Sequence, residues 1–390
     1  MAGSTSPLYS PAFWAMSLAN FSTAASFGVF FLFPLFIKAH GGSESDIGII
    51  MGVFALAATV CRPWVSELID RIGRRRSFTV GSVIMVVLPV VYLLLSGPLS
   101  GFYPGLVLMR ILHGIGMALC FTAAFTFVAD IVPPARLNEG IGIFGISGLA
   151  GMAAGPALAE FALNHYGFDA MFVTASLLAG VGLAAHLPLS EPLVDRQDPD
   201  RTISFFRVLM RPKILAVALL AVLFGIGMAS AGNFVAPLAA ARSILHVSLF
   251  FVAYSVAAVL VRLGGGRVAD RIGEVRVIPY ALVITGGGLL FVTLAYHAWS
   301  LALAGAVTGC GHGLLFPSLN SLAVRGEPAG IRGKITGIYT GALDGGNFAG
   351  SILLGYIGEW LGLRALFIVA GLALISGLIV IPGGFRRMKT

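Results

Sequence analysis

Ionisable residues inside apolar stretches are the side chains of this 390-residue chain that could do chemistry. Asp344 lies in YTGALDGGNFAG, and His113 lies in RILHGIGMA. A carboxylate in such surroundings is either neutralised or held by a partner, so Asp344 is a candidate proton site. A structural aspartate that hydrogen-bonds glycine-exposed backbone fits the pattern equally well. His113 is likewise either a proton carrier or a neutral, hydrogen-bonded histidine.

The tetrapeptide Asp-Arg-Ile-Gly occurs twice, 200 residues apart, over 70–73 and 270–273. Each copy follows an apolar segment. An aspartate at a helix end can accept hydrogen bonds from loop arginines and from the N-terminus of a neighbouring helix. The repeat therefore predicts a charge cluster at one membrane face. The alternative is that the arginines serve only to keep the loop on that side.

The rest of the chain is strongly apolar, with 57% hydrophobic and 11% charged residues. A soluble domain usually carries about 25% charged residues, and here windows of about 20 apolar residues recur from end to end. Because lipid offers no partners to a free backbone, this composition predicts an all-α polytopic membrane protein. The net charge of +8 then belongs to loops on one side of the membrane, and we expect no nucleic-acid partner.

Enzymatic and metal chemistry is not expected. The sequence contains no phosphate loop, catalytic triad or zinc-ligand spacing. We therefore predict no catalytic residues, no cofactor, no metal site and no use of ATP. The three cysteines all lie in apolar segments and are interpreted as small buried side chains.

Twelve membrane spans are predicted, in two sets of six. They cover roughly residues 11–37, 45–69, 78–97, 102–130, 138–163, 168–188, 213–239, 247–268, 277–296, 299–324, 333–358 and 363–383. Lysine and arginine are concentrated in the loops on one side, whereas the loops on the other side hold only Lys38, Arg242 and Arg364. This asymmetry predicts that both termini and the central linker are cytoplasmic.

The two sets of spans are internal repeats. RPWVSELIDRIGRRR aligns with RLGGGRVADRIGEVR at an offset of 200, and many later glycines align at an offset of 195. We expect a six-helix half over 1–190, a cytoplasmic linker over 191–212 and a second half over 213–390. Repeated six-helix halves place a substrate site between them, near the bilayer midplane.

With these features the whole chain resembles the major facilitator superfamily. The loop signature of that family, Gly-x-x-x-Asp-Arg-x-Gly-Arg-Arg, corresponds to Asp70, Arg71, Gly73, Arg74 and Arg75, with Ser66 in place of its first glycine. The second copy keeps Asp270, Arg271 and Gly273, but Glu274 and Val275 replace the two basic residues. The resemblance implies twelve transmembrane helices in two pseudo-symmetric halves and a gating role for this loop.

Two further elements resemble motifs of the same family. In span 4, Arg110 with Gly114 and Gly116 is similar to an Arg-x-x-x-Gly-x-Gly element, which implies a proton-coupling role for Arg110. In span 5, Gly151, Gly155 and Pro156 resemble an element of proton-driven exporters, although Ala159 and Glu160 stand where that element has two glycines. The proton-coupling set predicted from these features is Arg110, Asp344, His113 and Glu160.

The family fold implies that spans 1, 4, 7 and 10 line a central cavity. The candidate substrate contacts are Asn20, Phe27 and Phe31 in span 1, Asn233 and Phe234 in span 7, and His312, Phe316 and Asn320 in span 10. An aromatic lining with few polar groups favours an amphipathic or lipophilic cargo over a sugar. Packing between helices or against lipid is the alternative role for these phenylalanines.

The predicted function is export of a small amphipathic or lipophilic compound by proton antiport with alternating access. The expected partners are the small-molecule substrate, protons and membrane lipids, and the expected state is a monomer in the cell inner membrane. Proton-coupled import of an organic acid or other small metabolite is the alternative. A third hypothesis is a non-transporting sensor or a lipid-handling scaffold on the same fold.

Overall fold

The computed structural model describes residues 9–133, 136–192 and 205–381, except for the side chains at 138, 205, 265–272, 329, 330 and 333. Within these ranges all regular structure is helical and no strand is found. The helices are α1 Pro11–Val29, α2 Phe33–Ala39, α3 Glu44–Val60, α4 Arg62–Ile72, α5 Arg74–Val91, α6 Leu99–Ile131, α7 Leu137–His186, α8 Phe205–Leu209, α9 Pro212–Ala241, α10 Ser248–Ile272, α11 Glu274–Val292, α12 Ala298–Val324, α13 Ala329–Leu361 and α14 Leu363–Ser376.

Each of the twelve predicted spans overlaps one or two of these helices. Among the described residues, seven helical segments are each long and apolar enough to cross a membrane, and the pair α3 and α4, bent by 50°, makes an eighth. The longest segment contains two predicted spans, because α7 is interrupted at Gly167, whose φ of 84° lies outside the helical region. The predicted all-α polytopic fold is confirmed.

Tryptophans near helix ends expose their rings on the outside of the molecule. Trp14 near the start of α1 is 56% exposed, Trp299 near the start of α12 is 68% exposed, and Trp360 near the end of α13 is 75% exposed. Tryptophan is enriched where a membrane meets water, because its ring is apolar and its N–H is polar. These positions agree with helix ends at the two surfaces of a bilayer.

The chain packs as two compact units. One contains the described residues 9–36 and 57–192, and the other contains 37–56 and 205–381. In the first unit α1 packs along α7 and α5 packs on α6, whereas in the second α9 packs along α13 and α11 packs on α12. The same helix pairing thus recurs in both units, as the sequence repeats predict.

The first part of α3 belongs to the second unit. A Cβ atom at Gly48 would lie 2.3 Å from the carbonyl oxygen of Ser351, so α3 and α13 approach at backbone distance. Nearby, the backbone N–H of Ser45 donates to Glu359 Oε2 over 3.3 Å. This packing of residues 37–56 follows from tertiary contacts and is not visible in the order of the spans.

Candidate functional site

Arg110 is enclosed by aromatic rings inside the first unit. Its side chain, in the middle of α6, is 1% exposed. The guanidinium carbon lies 5.5 Å from the ring centroid of Phe30 and 5.3 Å from that of Phe33. The Tyr92 hydroxyl is also a hydrogen-bond partner of this guanidinium. Because ring faces and a phenol oxygen attract a cation, they offset part of the cost of burying this charge.

His113 shares these neighbours, one turn after Arg110 on α6. It is fully buried, and its Nδ1 lies 3.5 Å from the Tyr92 hydroxyl oxygen. The Phe30 ring packs edge-on against the imidazole at 4.5 Å between centroids. The structure therefore brings two predicted coupling residues together around Tyr92, at the end of α5. Sequence reasoning missed Tyr92, although a single tyrosine in VVLPVVYLLL was a usable signal.

The two predicted acids lie in different units. Glu160 is buried in α7 of the first unit, at 8% exposure, whereas Asp344 is half-buried in α13 of the second unit. Their positions inside helices agree with the sequence analysis. The proton-coupling role of all four residues remains a prediction.

The loop between α4 and α5, which contains the first Asp-Arg-Ile-Gly repeat, holds a network of ion pairs. Arg74 Nε lies 2.7 Å from Asp130 Oδ2 at the end of α6, and Arg74 Nη1 lies 3.8 Å from Asp70 Oδ1. Arg71 pairs with Glu67 of its own helix at 2.5 Å. Arg74 is thus the loop residue that ties α5 to α6.

Gly73 and Arg75 complete this loop. Gly73 has a φ of 96°, which only glycine adopts without strain, and α5 starts directly after it. The backbone N–H groups of Arg74 and Arg75 both donate to the Glu191 carboxylate, which caps the start of α5. Arg75 Nη2 also donates to the Leu187 carbonyl oxygen over 2.6 Å. The tight turn at Gly73 leaves room for that carboxylate.

The loop between α10 and α11, at the second repeat, forms an equivalent ion pair with the charges reversed. Glu274, at the position equivalent to Arg74, pairs with Arg325 at 2.6 Å between Oε1 and Nη2. Arg325 follows α12, at the position equivalent to Asp130 when the repeats are offset by 195. The Ser321 hydroxyl also donates to Glu274 over 2.6 Å, and Gly273 has a φ of 84°. The departure from the family signature at Glu274 is therefore one half of a reversed ion pair.

The side chains of Asp270 and Arg271 lie outside the described part of the structure. Their backbone forms the last turn of α10. Their gating role stays a prediction.

Glycines bring the paired helices of each unit to backbone contact. A Cβ atom at Gly151 or Gly155 of α7 would lie 2.3 Å or 2.2 Å from a carbonyl oxygen of α1. In the second unit a Cβ atom at Gly346 would lie 2.1 Å from the Val222 carbonyl oxygen of α9. Small residues spaced four apart allow such close approach. Only the first unit adds a proline, Pro156, whose ring packs against Gly28 of α1.

We expect Gly155→Ala to destabilise the protein. The new methyl group would meet the carbonyl oxygen of Ala25 at 2.2 Å, and neither backbone can move without opening the α1–α7 contact. Overpacking of this kind costs about 1–3 kcal/mol, and the melting temperature in detergent should fall by several degrees. The matched control is Gly142→Ala on the same helix, where no atom lies within 4 Å of the added Cβ. Equal melting temperatures for the two variants would contradict the close approach.

Three of the eight predicted substrate contacts are buried in the helix packing of their own unit. Asn20 donates from Nδ2 to Ser147 Oγ over 2.9 Å, and Asn233 donates to Ser351 Oγ over 2.8 Å. Both asparagines therefore tie the close helix pair of their own unit. Phe234 is fully buried within the second unit.

The other predicted contacts are ring pairs and one amide. Phe27 and Phe31 pack edge-on at 5.3 Å between ring centroids in the first unit. In the second, His312 and Phe316 stack at 6.0 Å, and Phe316 and Asn320 are half-buried. A binding role for all eight residues remains a prediction.

A helical membrane protein built from two units with the same helix pairing is the architecture of a two-fold repeated transporter. The sequence profile of the Major Facilitator Superfamily matches residues 15–243 and 222–389. The chain belongs to this superfamily. It is therefore a multi-pass membrane transporter of small molecules, and the predictions of the family and of a non-enzymatic function are confirmed.

Named relatives and solved structures agree with this assignment. The chain is 25% identical to the multidrug resistance protein MdtG of Salmonella paratyphi B, over 95% of each chain. It is 24% identical to an uncharacterized MFS-type transporter, MJ1560, of Methanocaldococcus jannaschii, over 87% of this chain and 90% of the relative.

Two transporters of known structure share the fold. A POT family transporter superposes with a TM-score of 0.80 at 15% identity, covering 97% of this chain and 96% of the other. The nucleoside transporter NupG superposes with a TM-score of 0.78 at 13% identity, covering 96% of this chain and 99% of the other. Identities this low indicate a shared fold alone.

Proposed function

We propose that this transporter exports small amphipathic or lipophilic compounds in exchange for protons, by alternating access. The observation that carries the proposal is the burial of Arg110, at 1% exposure, beside His113 and Tyr92 inside a membrane helix. A permanent charge kept there at a cost of a few kcal/mol needs a functional reason. Control of the protonation of a nearby acid during the cycle is such a reason.

Export as the direction has separate support. The Gly151, Gly155 and Pro156 element packs tightly on α1, and it resembles the element of proton-driven exporters. The second unit keeps the glycines but has Ser351 in place of the proline. MdtG, 25% identical over almost the whole chain, is named for multidrug resistance.

We further propose the organisation in which this export takes place. Residues 1–190 and 213–390 act as the two moving halves, joined by the linker 191–212. The protein works as a monomer in the inner membrane with both termini in the cytoplasm, where the arginine-rich loops lie.

Inside-out vesicles with an acidic lumen and a pH-quenched dye test the proposal. The compounds to add are lipophilic cations, neutral drugs, lysolipids and organic acids, and vesicles without the protein are the control. Proton release triggered by lipophilic compounds supports antiport. If these compounds release no protons at concentrations where they bind the purified protein, the proposed export is wrong.

Proton-coupled import of an organic acid is the second candidate function. It is favoured by arginines in the spans, Arg110 in the first unit and Arg262 in the second, because a guanidinium binds carboxylates. In the same vesicles, proton movement seen only on addition of organic acids would select this candidate over export.

We expect Asp344→Asn to uncouple transport from protons. An amide cannot titrate, so compound-triggered proton release should be lost while the compound still exchanges down its own gradient. The control is Asp344→Glu, which keeps an ionisable carboxyl on α13 and should retain part of the proton release. Both rates are measured in proteoliposomes with matched amounts of protein. Normal proton release by the asparagine variant would remove Asp344 from the coupling set.

A further inference from the structure

Arg262 is an arginine inside a span, and it has no part in the proposed export mechanism. It lies on α10, 14 residues after Ser248, or about 21 Å along the helix. The described side chains of this helix, from Ser248 to Gly264, form an apolar segment that includes it. A charge at such a position requires compensation.

Arg262 points away from the exposed apolar face of α10. That face is marked by side chains that are 40–63% exposed: Leu249, Val256, Leu260 and Leu263. Arg262 instead lies four residues after the fully buried Ala258 and seven after the buried Ser255, on the packed side of the helix. It therefore faces the other helices of the second unit and not lipid.

The contacts of Arg262 leave its charge unmatched within the described residues. Its Nε atom is buried and has no hydrogen-bond partner there. No carboxylate described in the structure forms an ion pair with it. The Phe316 ring packs against it, with the ring centroid 5.4 Å from the guanidinium carbon. A ring face compensates a guanidinium only in part, and the buried Nε–H donor lacks an acceptor among the described residues.

An aromatic wall lies beside Arg262, formed by Phe316, Tyr339, His312 and Tyr254, and both tyrosine hydroxyls in it are already hydrogen-bonded. Phe316 packs edge-on against Tyr339 at 5.6 Å, and the Tyr339 hydroxyl donates to the Phe316 carbonyl oxygen over 3.0 Å. His312, stacked on Phe316, hydrogen-bonds through Nδ1 to the Tyr254 hydroxyl. The wall thus offers apolar ring surface, while Arg262 offers positive charge.

One more polar atom remains on the same face of α12. Asn320 lies four residues after Phe316 and eight after His312, so the three share one helical face. Asn320 Oδ1 is buried and has no partner among the described residues. An amide at this place can contact a second polar group of a bound molecule.

We propose that Arg262 and this aromatic wall bind an amphipathic organic carboxylate. The guanidinium receives the carboxylate in two parallel N–H···O hydrogen bonds, and the apolar ring of the ligand packs on the half-buried Phe316 ring. The inference rests on the proposed transport function and deepens its second candidate, the organic acid, by naming that cargo class: aromatic or aliphatic carboxylates with an apolar body. The structural alternative is that the guanidinium only stacks on the Phe316 ring and binds no ligand.

Calorimetric binding to the purified full-length protein in detergent tests this site. The probes are naphthalene-2-carboxylate and naphthalene-2-carboxamide, which share the ring and differ in charge. Wild type should bind the carboxylate at least about tenfold more tightly than the amide, as expected for charge-assisted hydrogen bonds. Arg262→Gln should remove this preference while still binding both compounds weakly through the rings.

Two variants control for folding and for general charge. Arg262→Lys keeps the charge but loses the planar fork, so it should retain part of the preference. Arg62→Gln removes the arginine at the equivalent place of the first repeat and should keep the full preference. The melting temperature of each variant is measured in the same preparation. If Arg262→Gln does not fold, the carboxylate preference of Arg262→Lys tests the site instead.

Equal affinity of wild type for the two probes would overturn the site, as would a full preference in both Arg262 variants. The measurement uses no proton gradient. Absence of proton-coupled transport with the carboxylate preference intact would therefore refute the proposed transport function and leave this site standing. Loss of the carboxylate preference with proton-coupled transport intact would refute this site alone.

Discussion

Arg110→Ala is expected to abolish compound-triggered proton release, with the protein still inserted and folded in the membrane. The substitution removes the one guanidinium held between Phe30, Phe33 and Tyr92, and leaves a cavity lined by rings. Without that charge, nothing at this place lowers the proton affinity of an acid during the cycle. We expect the rate of compound-triggered proton release to fall at least about tenfold, because a charge-assisted hydrogen bond contributes about 1.5–3 kcal/mol.

The matched control for Arg110→Ala is Arg364→Ala, an arginine on the exposed surface at the start of α14. Arg110→Lys separates charge from shape, since lysine keeps the charge but cannot reproduce the fork. Proton release and binding of the transported compound are measured side by side. Unchanged release in Arg110→Ala would refute its coupling role, whereas loss of binding alone would make it a substrate contact.

Reversal of the Glu274–Arg325 pair is expected to restore what either single change destroys. Arg325→Glu alone sets two carboxylates against each other at the Ser321 hydroxyl, and Glu274→Arg alone sets two guanidiniums together. The Glu274 side chain is 6% exposed, so a lost partner leaves a nearly buried charge. We expect each single variant to lose about 1–3 kcal/mol of stability and most of its transport.

The double variant, Glu274→Arg with Arg325→Glu, rebuilds an ion pair in the polarity of Arg74 and Asp130. It should recover at least half of the lost transport and melting temperature, because the two contact geometries match. The parallel reversal in the first unit, Arg74→Glu with Asp130→Arg, provides the comparison. Additive losses in the double variant would show that these residues act separately and not as a pair.

The two loops with the Asp-Arg-Ile-Gly repeat show how far a sequence pattern can predict contacts. The doubled tetrapeptide located both loops, and the φ of 96° at Gly73 and 84° at Gly273 agrees with the invariant glycine of the repeat. The replacement at Glu274 was recognised as a departure from the family pattern. Its partner was not, because Arg325 lies 51 residues further along and only folding brings the ends of α11 and α12 together.

Side-chain direction could not be predicted in the spans. A soluble helix distinguishes its core side by apolar residues against polar ones, but a membrane helix is apolar on its packed side and on its lipid side. Asn233 and Phe234 were predicted as substrate contacts. The structure shows Asn233 hydrogen-bonded to Ser351 and Phe234 fully buried, and their binding role remains a prediction. For the same reason the sequence left open whether Arg262 pairs with Asp344 or faces the rim of its span.

The sequence by itself determined the twelve spans, the internal repeat, the superfamily and the presence of charges where lipid would not tolerate them. These depend on local composition and on spacing, which need no knowledge of contacts. Tertiary structure alone decided that Tyr92 joins Arg110 to His113, that Glu274 meets Arg325, and that the start of α3 packs on α13. Each of these depends on helix rotation and approach, which are set by side chains far apart in the chain.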